Sequence, residues 1–470
     1  MKKYDAIVIG AGMSGLAAAI RLAMFNKKVC LLEKHSIAGG LNSYYQRRLK
    51  ETKEIASFDV GLHALTNFAH KGERRRPLTK LLKQLRLSYD ELQLQEQSHS
   101  VIDFPEKKLR FNNDFGFLAS EVAEQFPSQI DAFNKLVEEI KNFNELDLNA
   151  GYVSSREVLQ NRLGDPLLIE MLLAPLLVYG SAWERDMDFN QFVIMFKSIY
   201  FEGFSRPRGG VKTIINLLIK RLEEEGGDLL FRQGVQEILT KDGKAFGVKT
   251  LKGEEIYSEK IFSSAGLPET IELVNASQKI PIEAPRIGKM TFMEIIALLD
   301  KKADPQKFDS TIIFHNNSSN YHYEGAKDFF DSRSAVICCP DNYDMKNREG
   351  LGCLRVTFMA NYEKFKNLER PAYLEKKEEA FERAMELVTS KFKNFDSRVV
   401  FKDVFSPTTV ERYTWRKRGT VYGSPDKSRN GRTPVEGLYV IGTDQGFLGI
   451  VGAILSGISI GNLYGLMNEI

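Results

Sequence analysis

The chain has 470 residues, 43% hydrophobic and 27% charged, with 65 basic residues set against 62 acidic ones for a net charge of +3. That length calls for two or three domain-sized units with ordinary globular cores, and the charge balance gives no reason to invoke a nucleic acid partner. Four cysteines, Cys30, Cys338, Cys339 and Cys353, make neither a disulfide framework nor a C-x-x-C pair, which points to a reducing compartment. Met1-Lys2-Lys3 leads at once into a strand and not into the apolar core of a secretory signal, so a cytoplasmic location is expected.

Tyr4-Asp5-Ala6-Ile7-Val8-Ile9 reads as a buried strand. It runs into Gly10-Ala11-Gly12-Met13-Ser14-Gly15 and then into an apolar helix from Leu16 to Leu22. Gly10 permits a tight turn, Gly12 lets backbone approach a pyrophosphate, and Gly15 lets the helix pack on the strand with its N-terminal N–H groups aimed at phosphate. A second apolar run, Lys28-Val29-Cys30-Leu31-Leu32, ends in Glu33, whose carboxylate accepts both ribose hydroxyls and repels a 2′-phosphate. Lys34 follows, and then Gly39-Gly40-Leu41-Asn42. A glycine pair just past the ribose carboxylate resembles the flavoprotein form of this fingerprint more than the NAD dehydrogenase form, a plain turn being the alternative.

Further along, Arg74-Arg75-Arg76 with Lys80 and Lys83, beside Leu78, Leu81, Leu82 and Leu85, has the spacing of a basic amphipathic helix. Such a helix either rests on an anionic membrane or presents a solvated face. Leu163 to Gly180, interrupted by Asp165 and Glu170, is the most apolar stretch outside the cofactor unit. From Arg206-Pro207-Arg208-Gly209-Gly210 the chain predicts an amphipathic helix, Thr213 to Leu222. Strands follow at 227–231, 235–239 and 247–251, with Asp242-Gly243 as a hairpin turn. A strand-like run, Thr291 to Leu299, lies in the next segment.

Gln445 to Met467 lacks charge and is long enough to span a bilayer. Its six glycines and its position directly after the strand-like Gly437-Leu438-Tyr439-Val440-Ile441 favour a buried helix packed on a cofactor. The expected organisation is a discontinuous cofactor domain, 1–70, 206–279 and 405–470. Insertions at 71–205 and 280–404, the first helical and the second strand-rich, form a substrate-binding cap over it.

Asp59-Val60-Gly61-Leu62-His63, Pro207-Arg208-Gly209-Gly210, Ser263-Ser264-Ala265-Gly266 and Gly437 to Asp444 occur in one order. Together they resemble the phytoene desaturase, carotenoid isomerase and retinol saturase superfamily of FAD enzymes. The D-x-G-x-H segment and Gly449-Ile450-Val451-Gly452-Ala453 are most similar to the retinol saturase and carotenoid isomerase branch. The resemblance implies an α/β, Rossmann-like FAD-binding domain of the GR2-type flavoprotein fold with an inserted α+β substrate domain. It also implies a hydrophobic tunnel and chemistry at carbon–carbon double bonds of a polyene or prenyl lipid such as a carotenoid or retinoid. Gly40-Leu41-Asn42 departs from relatives that carry a basic residue beside the second glycine.

In that frame Val235 bonds adenine through its backbone, a role carried by the resemblance. Asp444, reached through Gly442, is placed to take a ribitol hydroxyl, with a helix cap as the alternative. The helix start from Gly449 through Val451, Gly452 and Ala453 faces the flavin, where its dipole favours a reduced, anionic ring. Six histidines show no i, i+4 ligand pair, so no metal is expected. His63 is the candidate proton donor, a structural histidine being the alternative. Tyr413, Trp415, Arg416 and Tyr422 either line the tunnel or belong to core. Two other readings share these segments: an amine-oxidase or protoporphyrinogen-oxidase type enzyme, marked by a lysine facing the flavin, and a flavin-free prenyl-lipid carrier of the GDP-dissociation-inhibitor type.

Overall fold

The strand Ala6–Ile9, just ahead of the Gly10–Gly15 turn, is buried along its whole length. In the computed structural model it is central to a five-stranded sheet. The structure describes residues 2–467 apart from 51–52, 146, 148–150, 277–281, 305, 348 and 393–394. The strand order is Asp228–Leu230, Val29–Leu32, Ala6–Ile9, Ile261–Ser263, Leu438–Val440, and every pair is parallel. A parallel sheet covered on both faces needs apolar residues at consecutive positions, which is why these strands show no alternation. Three distant stretches of chain thus supply one sheet.

The helix Met13–Ala23 packs on this sheet and against Gly449–Ile460. A Cβ on Gly457 would stand 2.1 Å from the carbonyl oxygen of Ser14, so only glycine allows that approach. The uncharged C-terminal stretch is therefore laid along the Met13–Ala23 helix, with Arg21 Nε donating to Asn462 Oδ1 at 2.8 Å. A second sheet carries the predicted hairpin, Val235–Lys241 against Lys244–Thr250. Asp242 and Gly243 both have positive φ, 51° and 77°, as a two-residue turn matching the strand twist requires.

The third sheet has seven strands in the order Val399–Phe405, Phe292–Leu299, Gly352–Ala360, Phe330–Cys338, Ile312–Asn316, Ser100–Asp103, Lys108–Phe111. Ile312–Asn316 pairs in parallel with Ser100–Asp103, which joins the two insertions into one sheet. The first insertion is therefore not purely helical; its strands Leu94–Glu96, Ser100–Asp103 and Lys108–Phe111, three or four residues each, are too short for a periodicity signal. Of the expected boundaries, 205/206 and 404/405 fall inside strands, and 279/280 lies outside the described residues.

The apolar stretch 163–180 and the leucines beside the basic run both pack into core. The Leu163–Gly180 stretch folds as the helix Pro166–Gly180, capped by Asp165 on Leu167 N and Leu168 N. It is buried almost all round, and only Val178 and Tyr179 from it reach the central cavity. A helix apolar on every side fills core before it lines anything. Likewise Leu78, Leu81 and Leu82 of the helix Pro77–Gln84 are buried in the nucleotide-domain core, so no apolar face is left to enter a membrane. Arg76 lies 3.9 Å from Glu202, while Arg74, Arg75, Lys80 and Lys83 stay on the exposed side.

Candidate functional site

One continuous cavity of about 1310 Å³ runs from the first sheet to the third. At its nucleotide end the glycines act as sequence spacing required. Gly10 has φ 89°, and a Cβ on Gly15 would lie 1.9 Å from Gly10 O. Gly12 is the opposite case, since nothing lies within 4 Å of its would-be Cβ, and it opens on the cavity. Gly12 also begins the Met13–Ala23 helix without a side-chain cap, leaving the first-turn N–H groups for a ligand. Glu33 faces the cavity, with Oε2 accepting from Ala11 N at 2.7 Å and Oε1 from His35 N at 2.8 Å. Each oxygen keeps a lone pair for a ribose hydroxyl.

The glycine pair closes over this turn. Gly39 N donates to Ala11 O at 2.8 Å, and a Cβ on Gly40 would sit 3.5 Å from the Gly12 Cα. Met13, Ser14, Leu41, Asn42, Val235 and Gly442 line the same cavity. Lys34 also lines it, with its Nζ 3.3 Å above the ring of Trp415. An open glycine cradle, an uncapped helix start and a ribose carboxylate fit FAD. At the other end of the chain Gly449 and Ala453 line the cavity. Val451 does not, being buried in the core, and Gly452 packs its backbone against Phe447.

Asp444 is turned away from the cavity. Fully buried, it accepts from Leu267 N at 2.7 Å, Ser424 N at 3.0 Å, Arg416 at 3.1 Å and Lys427 at 3.4 Å. Burial works against its charge, but the two cations and the backbone donors hold its carboxyl below the usual range. No oxygen remains for a ribitol hydroxyl. The side chain ties the 416–428 loop to the last strand, and burial pushes Lys427 beside it down to about 8.

The D-x-G-x-H segment divides its labour. Asp59 pairs with Arg206 and accepts from Val211 N at 3.0 Å, anchoring the helix that Pro207-Arg208-Gly209-Gly210 begins. Gly61 lets the chain pass Leu41, whose carbonyl oxygen would lie 2.4 Å from a Cβ. His63, 8% exposed, lines the far end of the cavity. Its Nε2 lies 3.0 Å from Glu294 Oε1 and 3.2 Å from Thr357 Oγ1. Arg355 Nε donates to the same Glu294 oxygen at 2.6 Å and reaches Leu62 O and Val60 O with its other nitrogens. Burial opposes the charge on Glu294, yet Arg355 and His63 bring its carboxyl down to about 2. Tyr179, its ring 6.2 Å from His63, has a buried hydroxyl with no partner among the described residues.

Glu294, Arg355, Thr357 and Tyr179 escape the sequence reading, though signals exist. Glu294 is the one charge in the apolar run Phe292–Leu299, and Arg355 and Thr357 sit at i, i+2, on one face of Gly352–Ala360. Strand register then sets Glu294 directly opposite Thr357. Of the tunnel and core alternatives for Tyr422, the structure sets it on the cavity wall, its hydroxyl donating to Val178 O.

Comparisons with known proteins place the chain by family and fold. The chain is 24% identical to prolycopene isomerase 1, chloroplastic, of an Oncidium hybrid cultivar, over 97% of its length and 83% of that protein's. It is 26% identical to the all-trans-retinol 13,14-reductase of Danio rerio, over 98% and 85%. Its fold matches the crystal structure of an oxidoreductase from Methanosarcina mazei, with TM-score 0.67, 19% identity, and 97% and 99% of the two chains covered. Residues 13–460 match the family described as flavin containing amine oxidoreductase. The chain belongs to that family, and it is an FAD-dependent oxidoreductase.

Proposed function

We propose that the enzyme alters the redox state or geometry of a carbon–carbon double bond in a polyene or prenyl lipid. The observation that carries this reading is the buried His63–Glu294–Arg355–Thr357 cluster, set in an aromatic wall of the same cavity that holds the dinucleotide cradle. The relatives named for prolycopene isomerisation and retinol reduction support it. Bound FAD supplies hydride exchange with the alkene. The Gly10–Gly15 turn and Glu33 hold the nucleotide, and the uncapped Gly449 helix start offers partial positive charge to the cavity. Phe292, Tyr179 and Tyr422 exclude water from the far end.

His63 is the proton-handling residue. Its Nε2–H is committed to Glu294, which leaves Nδ1 for a proton exchanged with substrate. Residues 1–70, 206–279 and 405–470 serve the cofactor, and 71–205 with 280–404 hold the lipid. A cytoplasmic enzyme drawing that lipid from a membrane surface completes the reading. The lysines that line the cavity lie elsewhere, Lys34 on Trp415, Lys366 by Glu363 and Lys377 by Asp403, which disfavours amine oxidation.

Anaerobic mixing of oxidised and reduced enzyme with carotenoid, retinoid and polyprenyl panels tests the assignment. A change in flavin spectrum with a modified lipid is expected, and His63→Ala should slow turnover about 10²–10⁴-fold with FAD content unchanged. Rapid flavin reduction by a primary amine, with every lipid inert, would replace this reading by the amine oxidase one.

A further inference from the structure

Part of the cavity wall, the arginine lobe, is taken up by arginine–tyrosine pairs that belong to neither the Gly10–Gly15 turn nor the His63 cluster, and it adjoins the nucleotide end where the Tyr413 ring stands 5.4 Å from that of His35. Three elements each turn an arginine and a tyrosine onto it. Tyr45 and Arg47 come from the strand Tyr44–Arg48, Arg370 and Tyr373 from the helix Arg370–Lys391, and Arg412 and Tyr413 from the helix Pro407–Thr414. Spacing explains the convergence. Residues 45 and 47 share a strand face, and 370, 373 and 377 recur at i, i+3, i+7 on one helix face. The strand and the Arg370–Lys391 helix meet through Asp403 of Val399–Phe405, which accepts from Tyr45 at 3.1 Å and lies 3.8 Å from Lys377, and the two helices meet where the Tyr373 hydroxyl lies 3.0 Å from Thr409 Oγ1. Each guanidinium lies over its own tyrosine ring, at 4.9 Å for Arg47 and 5.7 Å for both Arg370 and Arg412.

Lys366 and Lys377 add two cations, each 3.8 Å from a carboxylate. Arg47, Arg370 and Arg412 have no carboxylate within 4.0 Å among the described residues. A neutral hydrocarbon gives such a set nothing, whereas arginine forks match carboxylate and phosphate oxygens and are stiffened by stacking on aromatic rings. We propose that this lobe is a head-group site, and that the substrate is an amphiphile whose anionic head, a carboxylate or a phosphate ester, is held by Arg370, Arg412 and Arg47. Its chain then runs along the cavity towards His63. Only the nature of that chain rests on the polyene reading; the head-group site does not.

The test compares heads on one tail: all-trans-retinol, all-trans-retinoate and retinyl phosphate, titrated below their aggregation limits into FAD-loaded enzyme at low ionic strength. Hexadecanol against palmitate repeats the comparison without a polyene. The anionic member of at least one series should bind at least tenfold tighter than its alcohol. In Arg370→Ala/Arg412→Ala, and in Arg47→Ala to a lesser degree, the ratio should fall towards one while FAD content stays unchanged. Discrimination in the palmitate series with inert retinoids would keep the head-group site and discard the polyene tail. Equal binding of alcohol and anion in both series overturns the proposal, as does a ratio unaffected by the substitutions. Loss of FAD from the variants would assign the arginines to the cofactor. Loss of binding to phosphatidylglycerol vesicles, with head discrimination intact, would assign them to a membrane surface; either result overturns the head-group site.

Discussion

The two working ends of the cavity are built in opposite ways. The nucleotide end is nearly complete within the first 42 residues, and it works through backbone: a turn open at Gly12, N–H groups left uncapped, and one carboxylate, Glu33, at the end of the adjacent strand. The His63 end draws on residues 63, 179, 294, 355 and 357, and it works through side chains whose charges must cancel in the interior. A site made of backbone is encoded by glycine spacing. A site made of buried charge exists only once strand register has brought the partners together, so its failure should be a failure of stability as well as of chemistry.

The sharpest way to break that contrast is Glu294→Gln, which leaves the fully buried Arg355 without its counter-charge. A loss of about 3–5 kcal/mol in chemical denaturation is expected, as for other broken buried pairs. The effect should depend on pH with a definite sign. The Glu294 carboxyl lies at about 2 when folded, below its ordinary value, so its contribution is fully present above the ordinary carboxylate range and is lost as pH falls towards 2. The stability gap between wild type and the Gln variant should therefore narrow steadily below about pH 4. A gap independent of pH would mean that the ionised form is not what stabilises the cluster.

Asp444→Asn moves the same argument to the loop behind the cofactor. Two buried cations, Arg416 and Lys427, lose their shared anion, and a loss of comparable size is expected in apoprotein and holoprotein alike. Were the apoprotein as stable as wild type and only FAD binding weakened, the ribitol-ligand reading of Asp444 would return.

At the nucleotide end the effect should be on binding. Glu33→Ala removes two charge-assisted hydrogen bonds worth about 1.5–3 kcal/mol each, and an FAD affinity weaker by about 10²–10⁴-fold, read by flavin fluorescence titration, is expected. Because Glu33 also holds Ala11 N and His35 N, the variant apoprotein should melt a few degrees lower. The smallest effect belongs to the exposed arginines. Arg74→Glu/Arg75→Glu should reduce sedimentation with anionic liposomes by no more than about 1 kcal/mol per charge, and not at all if the solvated face has no membrane partner.

Much of the cofactor domain was legible in the chain because its determinants are local. Gly10, Gly12 and Gly15 report backbone geometry, Asp242-Gly243 reports a turn with two positive φ values, and uninterrupted apolar strands report a sheet covered on both faces. Asp444 shows the limit of that kind of reading. Its position after the last strand is local information, but the direction of its carboxylate depends on Arg416, Lys427 and Leu267, which arrive from elsewhere. The leucines at 78, 81 and 82 teach the same point for amphipathic spacing, which tells that one helix face is covered but not by what.

By itself, then, the sequence determined a dinucleotide cradle, the strands and helix that shape it, and the identity of the carboxylate at its rim, since all three are properties of short, contiguous stretches. Only the tertiary structure decided that Glu294 stands opposite Thr357, that Arg355 bridges to the His63 segment, and that three arginines from three elements, each over a tyrosine, line one cavity. Those contacts join residues far apart in the chain. Their energy depends on burial and on the company of other charges, and neither exists before the sheets have assembled.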